Sequence, residues 1–219
     1  MLSRPAFISI LFAGCLLVAC VLFYALPASA DDFHSGLYQS AMVAQEIEEY
    51  ELMAKLARQA AEKGEAAAQE LLGTCYTKGL GVQADWEEAK KWFGFAAAQG
   101  YAPAVHGLGL YYFMRAVQDV DSESFHNALN LFFRAVAQGH TESMAYIGYL
   151  YMKEDHPLAD RAQAYKWFSL ALIQGDLRGA TALMKLDKVF VDDEVRQGKQ
   201  LFKEWLLSHP SMFNDLIIK

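Results

Sequence analysis

Outside its first thirty residues the chain has a single cysteine, Cys75; the other two, Cys15 and Cys20, lie near the N-terminus. No internal disulfide can then form in residues 31–219, even in an oxidising compartment. Cys75 sits next to Tyr76 in a predicted helix and reads as a small packed thiol. A basic stripe is also missing. The formal net charge is -7, with acidic residues spread along the chain, which argues against nucleic acid because phosphate neutralisation needs clustered cations. There is no H-E-x-x-H, no CxxC, no S-x-x-K and no zinc-finger, helix-turn-helix or RNP pattern. None of the six histidines pairs with another at a metal-binding helical spacing. No metal, cofactor or catalytic residue is expected. Gly79-x-Gly81 lacks the preceding strand and the Lys-Ser/Thr of a phosphate loop, and reads as a turn.

What is present begins with a leader. Met1–Arg4 is a short basic region, Ala6–Leu26 carries no charge, and Ala28-Ser29-Ala30 offers a small-x-small cleavage site followed by Asp31-Asp32. Residues 1–30 are therefore an expected signal peptide or an uncleaved N-terminal anchor, since the apolar run is long enough to span a bilayer. Leu17-Val18-Ala19-Cys20 also fits a lipidation box, although the stretch after Cys20 stays apolar. All three readings export residues 31–219 to a periplasmic, secreted or outward-facing anchored position. Membrane contact is expected only through an uncleaved leader or lipidation.

The rest is dominated by one pattern. Ala89-x-x-Trp92-x-x-x-Ala96-Ala97-x-x-Gly100 returns from Ala128 to Gly139 and from Ala164 to Gly175, with a weaker copy through Leu56, Ala60, Ala61 and Gly64. The glycines are 36, 39 and 36 residues apart, a period that marks a repeat array. Before each copy stands Leu72-Gly73-x-x-Tyr76, Leu108-Gly109-x-x-Tyr112 or Ile147-Gly148-x-x-Tyr151. Each unit therefore reads as a helix pair: a first helix with the Gly-x-x-Tyr element and a second with Ala-x-x-x-Phe. A glycine within a helix costs about 1 kcal/mol relative to alanine, so its recurrence implies a packing need. Close approach of second-helix alanines to the first-helix backbone is the simplest one. Asp85 and Asp160 precede capping-box patterns, and Gly64, Gly100, Gly139 and Gly175 stand where a left-handed glycine ends a helix.

These residues resemble the tetratricopeptide pattern, but with a longer interhelical loop. Gly79-Leu80-Gly81-Val82-Gln83-Ala84-Asp85 followed by the Ala-x-x-Trp pattern is similar to the Sel-one-like repeat family. The resemblance covers residues 64–178, with units at 64–99, 100–138 and 139–174. The second and third units lack the Gly-x-Gly-Val loop, and the second carries an insertion through Gln118–His126. The implied fold is all-α: an α/α solenoid of antiparallel helix pairs in a right-handed superhelix. Residues 31–63 read as a capping helical stretch whose first part has no repeat-type partner, and 179–219 as C-terminal capping helices with an apolar tail, Met212–Ile218. By resemblance, the function is that of a scaffold for protein assemblies, including envelope-associated ones.

Arrays of this type bind along first-helix positions outside the core. That assigns Ala67, Glu70, Thr74, Thr77 and Lys78 in the first unit, Pro103, His106, Leu110, Phe113 and Met114 in the second, and Glu142, Ala145, Tyr149, Met152 and Lys153 in the third. Leu110, Phe113, Met114, Tyr149 and Met152 form an apolar stripe where a solvated face would be polar. The stripe reads equally as inter-repeat core, since apolar stripes at helical spacing commonly are. The expected partner is a protein or peptide segment, with Glu70, His106, Phe113, Tyr149 and Lys153 as leading contacts. Self-association stays open. The competing function is an enzyme or small-molecule binder in the same groove, built on His106 and Glu142.

Overall fold

Helical periodicity is realised along the whole described chain. The computed structural model describes residues 30–118, 122–186 and 191–210. The leader before Ala30, the centre of the insertion and the Met212–Ile218 tail lie outside the described residues. Within them the structure is entirely helical: α1 (Ala30–Glu46), α2 (Tyr50–Ala61), α3 (Ala66–Lys78), α4 (Trp86–Ala98), α5 (Ala102–Gln118), α6 (Ser122–Ala137), α7 (Ser143–Tyr151), α8 (Arg161–Ile173), α9 (Leu177–Leu186) and α10 (Asp192–Ser208). From α1 to α9 each helix packs on the next, and the first helices α3, α5 and α7 also touch in sequence. That contact pattern is an α/α solenoid.

The recurring glycines do their work through an aromatic ring. A methyl group on Gly73 would sit 2.7 Å from the ring of Phe93; on Gly109 it would sit 2.7 Å from Phe132, and on Gly148 2.7 Å from Phe168. The second helix therefore approaches with its phenylalanine, and the expected approach of alanines is corrected accordingly. Phe93 is held from the other side as well, because Gly107 of the next unit would place a Cβ 2.6 Å from the same ring. At the equivalent place in the third unit Tyr146 stacks on Phe132, with centroids 5.3 Å apart and planes 22° apart. Phe132 and Phe168 are fully buried.

The turns follow the sequence with two corrections. Gly64, Gly100, Gly139 and Gly175 take φ values of 95°, 81°, 88° and 83°. Asp85 accepts from the backbone of Glu87 and Glu88, and Asp160 from that of Gln163. The N–H groups of Asp85 and Asp160 donate to the carbonyls of Tyr76 and Tyr151, so the return half of each box comes from the first helix's main chain. The second correction concerns residues 31–63. The expected continuous stretch breaks after α1, where Glu48 adopts φ 60°. α1 then folds back on α2, burying Ala41 and Ala44 with Met53, Ala57 and Ala60. The first part of the stretch thus has a helical partner after all. Gly81, at φ 67°, seats the long loop on this pair: a Cβ there would lie 2.0 Å from the Tyr50 carbonyl oxygen.

At the other end α10 lies along α8. Gly198 fits against Tyr165, Trp205 meets Trp167 at 6.0 Å, and Glu194 pairs with Arg161 at 3.5 Å. The outer side of α9 stays open, with Leu177 at 77% and Met184 at 75% exposure.

The glycine geometry sets opposite outcomes for two substitutions. Gly148→Ala forces the buried Phe168 ring to move and is expected to lower unfolding free energy by about 1–2 kcal/mol, overpacking outweighing the gain in helix propensity. Gly94→Ala, in α4 with nothing within 4 Å of the added methyl, is expected to raise it by about 0.5–1 kcal/mol. Urea denaturation of the two variants measures the pair.

Candidate functional site

Glu70 on α3 is half-buried and accepts a hydrogen bond from Thr74 Oγ1 at 2.9 Å. Burial pushes its carboxyl pKa up, and it lies within electrostatic reach of Tyr38 and Tyr101. On α5, Leu110 and Phe113 are half-buried and lean on the core, with Phe113 edge-on to Tyr146 at 5.3 Å. Met114 is exposed, beside Trp86 and Tyr111. On α7, Tyr149 is 36% exposed, its ring edge-on to Phe168 at 5.0 Å and 6.3 Å from Tyr146. Met152 is half-buried.

Three assigned positions are placed elsewhere. Ala145 is fully buried. Lys153 is half-buried, and its ammonium donates to the Ala116 carbonyl, tying the third unit's loop to the end of α5. His106 points into the seam between the second and third units. These side chains pack between units because position and neighbour differ by one period, a relation that helix phase within one unit does not reveal.

His106 belongs to a cluster whose partners are far away in sequence. Its Nδ1 lies 2.9 Å from Ser143 Oγ, and His140 Nδ1 lies 3.2 Å from the same oxygen. The two imidazoles stack at 4.4 Å, with Phe132 and Tyr146 against His106 at 5.5 and 5.3 Å. Arg178 closes the outer side. Asp176 holds its guanidinium through Nε at 2.9 Å, it sits 5.0 Å over the Tyr146 ring, and Glu142 lies 3.5 Å away. Hydrogen bonding to Asp176 is the main cause that raises the Arg178 pKa. Burial, then the neighbouring His140 and Arg178, push the His106 pKa down to about 3. Burial likewise lowers that of His140, against an opposing pull from Glu142.

Serine between two histidines invites a catalytic reading, and the geometry answers it. Ser143 is fully buried, so its hydroxyl cannot meet a substrate. Glu142, the expected partner of His106, pairs with Arg178 instead. Cys75 is likewise fully buried, and burial pushes its thiol up to about 11. Depressions of about 530 Å³ beside Arg161 and Glu194, 650 Å³ beside Tyr50 and Gly81, and 180 Å³ beside Trp86 and Tyr111 lie at the helix turns.

Neutral, buried histidines make the seam sensitive to acid. The unfolded chain binds protons near pH 6.5 that folded His106 refuses until about pH 3, so its contribution to stability is complete above 6.5 and falls between those values. From pH 7 to 5 the loss from His106 is about 2 kcal/mol. His106→Gln is expected to flatten the dependence of unfolding free energy on pH by that amount relative to the unaltered chain, read from urea titrations at each pH.

Residues 66–101, 102–140 and 141–176 match the family model of the Sel1 repeat. A putative sel1-like repeat-containing protein of Acanthamoeba polyphaga mimivirus is 28% identical over 120 residues, covering 55% of this chain and 21% of the relative. Chitin synthase regulatory factor 3 of Schizosaccharomyces pombe is 28% identical over 147 residues, 64% of this chain and 16% of the relative. The chain thus spans about a fifth of these relatives' length. Among solved structures, a protective antigen of uropathogenic Escherichia coli with an SLR fold superposes with a TM-score of 0.63 at 22% identity, over 78% of this chain and 37% of that one. A Sel1 repeat protein from Oxalobacter formigenes superposes with a TM-score of 0.54 at 27% identity, over 68% of this chain and 60% of the other.

Proposed function

The chain belongs to the Sel1 repeat family, and on that footing we propose that it is an exported, non-catalytic scaffold holding a protein segment along the side formed by its first helices, within a cell-envelope or secretion-associated assembly. Tyr149 carries the reading. Its ring is exposed to solvent yet braced edge-on by Phe168, so a partner meets a large amphipathic surface whose ordering is already complete. Half-buried Phe113 and Leu110 lie on the preceding first helix, and Met152 and Met114 add side chains able to adapt to a guest.

Charge favours a guest with basic residues. Glu70 stands half-buried at the start of the face, and Glu142, although it shares Arg178, keeps 65% of its side chain exposed. The chain as a whole is acidic, which speaks for a protein partner over nucleic acid. Export rests on the leader, and membrane contact on its retention or lipidation. The fission-yeast relative is a chitin synthase regulatory factor.

In cells, a photo-crosslinking residue at position 149 is expected to capture a protein that one at Phe95, exposed on a second helix, does not. Tyr149→Ala, assayed by co-purification with crosslinking at Met152, is expected to weaken that partner about tenfold or more. Capture that persists in Tyr149→Ala and Phe113→Glu, and disappears only in variants of α1 or α10, assigns the partner to the caps and refutes the groove. The leader is tested separately: export with cleavage predicts an intact mass beginning at Asp31.

A further inference from the structure

A helix stack needs a polar covering at each end if it is to stop there, and among the described residues each end of this one exposes large apolar side chains. On α9 the buried side is Gly179 and Ala182. The opposite side carries Leu177, Thr181 and Met184, one helical stripe, with the two leucine and methionine side chains 77% and 75% exposed. α10 lies along α8 and leaves α9 as the first helix of an unfinished unit. At the other end, α1 buries Ala41 and Ala44 and turns Ser40 and Val43 outward, continued by Ile47 just past its last turn; Val43 is 57% and Ile47 62% exposed.

We propose that the protein associates head to tail with itself, the outer side of α9 in one copy seating on the outer side of α1 in the next. The two stripes match in length, since Leu177 to Met184 and Ser40 to Ile47 each cover about 10 Å of helix. They also match in charge. Glu46, Glu48, Glu49 and Glu51 are exposed around the α1–α2 turn, whereas α9 carries the exposed Lys185 and no acid of its own, its Arg178 being paired with Asp176 and Glu142. Within the chain, first helices already stack on first helices, from α3 to α5 to α7. A first helix is therefore what the array would present next, and α1 of a second copy supplies one. The contact joins two different surfaces, so each added copy leaves a fresh α9 bare, and growth continues as a filament or closes as a ring. Val43 and Ile47 lie in the half of α1 away from residue 30, so the leader's attachment point stays clear of the contact.

The test uses the full chain, expressed in cells as two differently tagged copies, with a photo-crosslinking residue at position 184 of one. Crosslinks are expected to residues 36–52 of the other copy, and a crosslinker at position 47 is expected to reach residues 177–186. Lys185→Glu in one copy should lower the yield about tenfold through like-charge contact with the α1–α2 turn. Glu46→Lys with Glu49→Lys in the other copy should restore it. All three positions are exposed, and circular dichroism confirms that each variant is folded. Crosslinks from position 184 to residues 211–219 of the same copy, to a different protein, or to nothing overturn the proposal, as does failure of the paired reversal to restore the yield. Tyr149 and Phe113 take no part, so this outcome is independent of the groove.

Discussion

A phenylalanine ring pressed close against a glycine is the contact on which the rest of the molecule depends. It occurs three times, at Gly73 and Phe93, Gly109 and Phe132, and Gly148 and Phe168, with clearances that a single methyl would close. The ring sets how near the two helices of a unit come, and its exposed flank is then covered by the next unit, as Gly107 covers Phe93 and Tyr146 covers Phe132. One residue therefore fixes both the pairing inside a unit and the stacking between units. Large second-helix aromatics elsewhere serve the neighbouring second helices. Trp92 and Trp167 are buried, and their indole N–H groups find no hydrogen-bond partner within the described residues, so they contribute through area and contact.

Most of this architecture is legible in the residue spacing. The glycine period gives the units, Asp85 and Asp160 mark the starts of second helices, and the left-handed glycines mark their ends. The break after α1 is hidden because Glu48 occupies a backbone region where sequence reading expects glycine. The approach of Phe to Gly is half legible: the glycine announces close contact, but nothing in a one-dimensional pattern distinguishes an approaching ring from an approaching alanine.

The candidate site divides along the same line. Met114 and Tyr149 are exposed and Glu70 is half-buried. His106 and Lys153 have the same phase and pack inward, because Ser143 and the Ala116 carbonyl wait for them one unit away. Solvent exposure in an array depends on the identity of the neighbouring unit's side chains. Ser143 occupies a place that alanine fills at Ala68 and Ala104, and that small polar change turns a solvent-facing position into a buried one. The face proposed for binding is consequently narrower than the repeat alone implies, with Tyr149 exposed and Ala145, His106 and Lys153 turned inward.

Unequal seams have a mechanical meaning. At the first joint of the array Phe93 sits between two glycines, with Tyr111 donating to Glu87 across it, while the second joint contains two stacked imidazoles, a serine and a guanidinium. In a quasi-one-dimensional stack, where each unit is held only by its neighbours, a pull along the axis is borne in series and yields at the weakest joint. Here that joint's strength follows proton activity. Under load in an acidic medium the molecule would part between its second and third units, each half keeping its own helix pairs, and behave as two short rods on a shared thread.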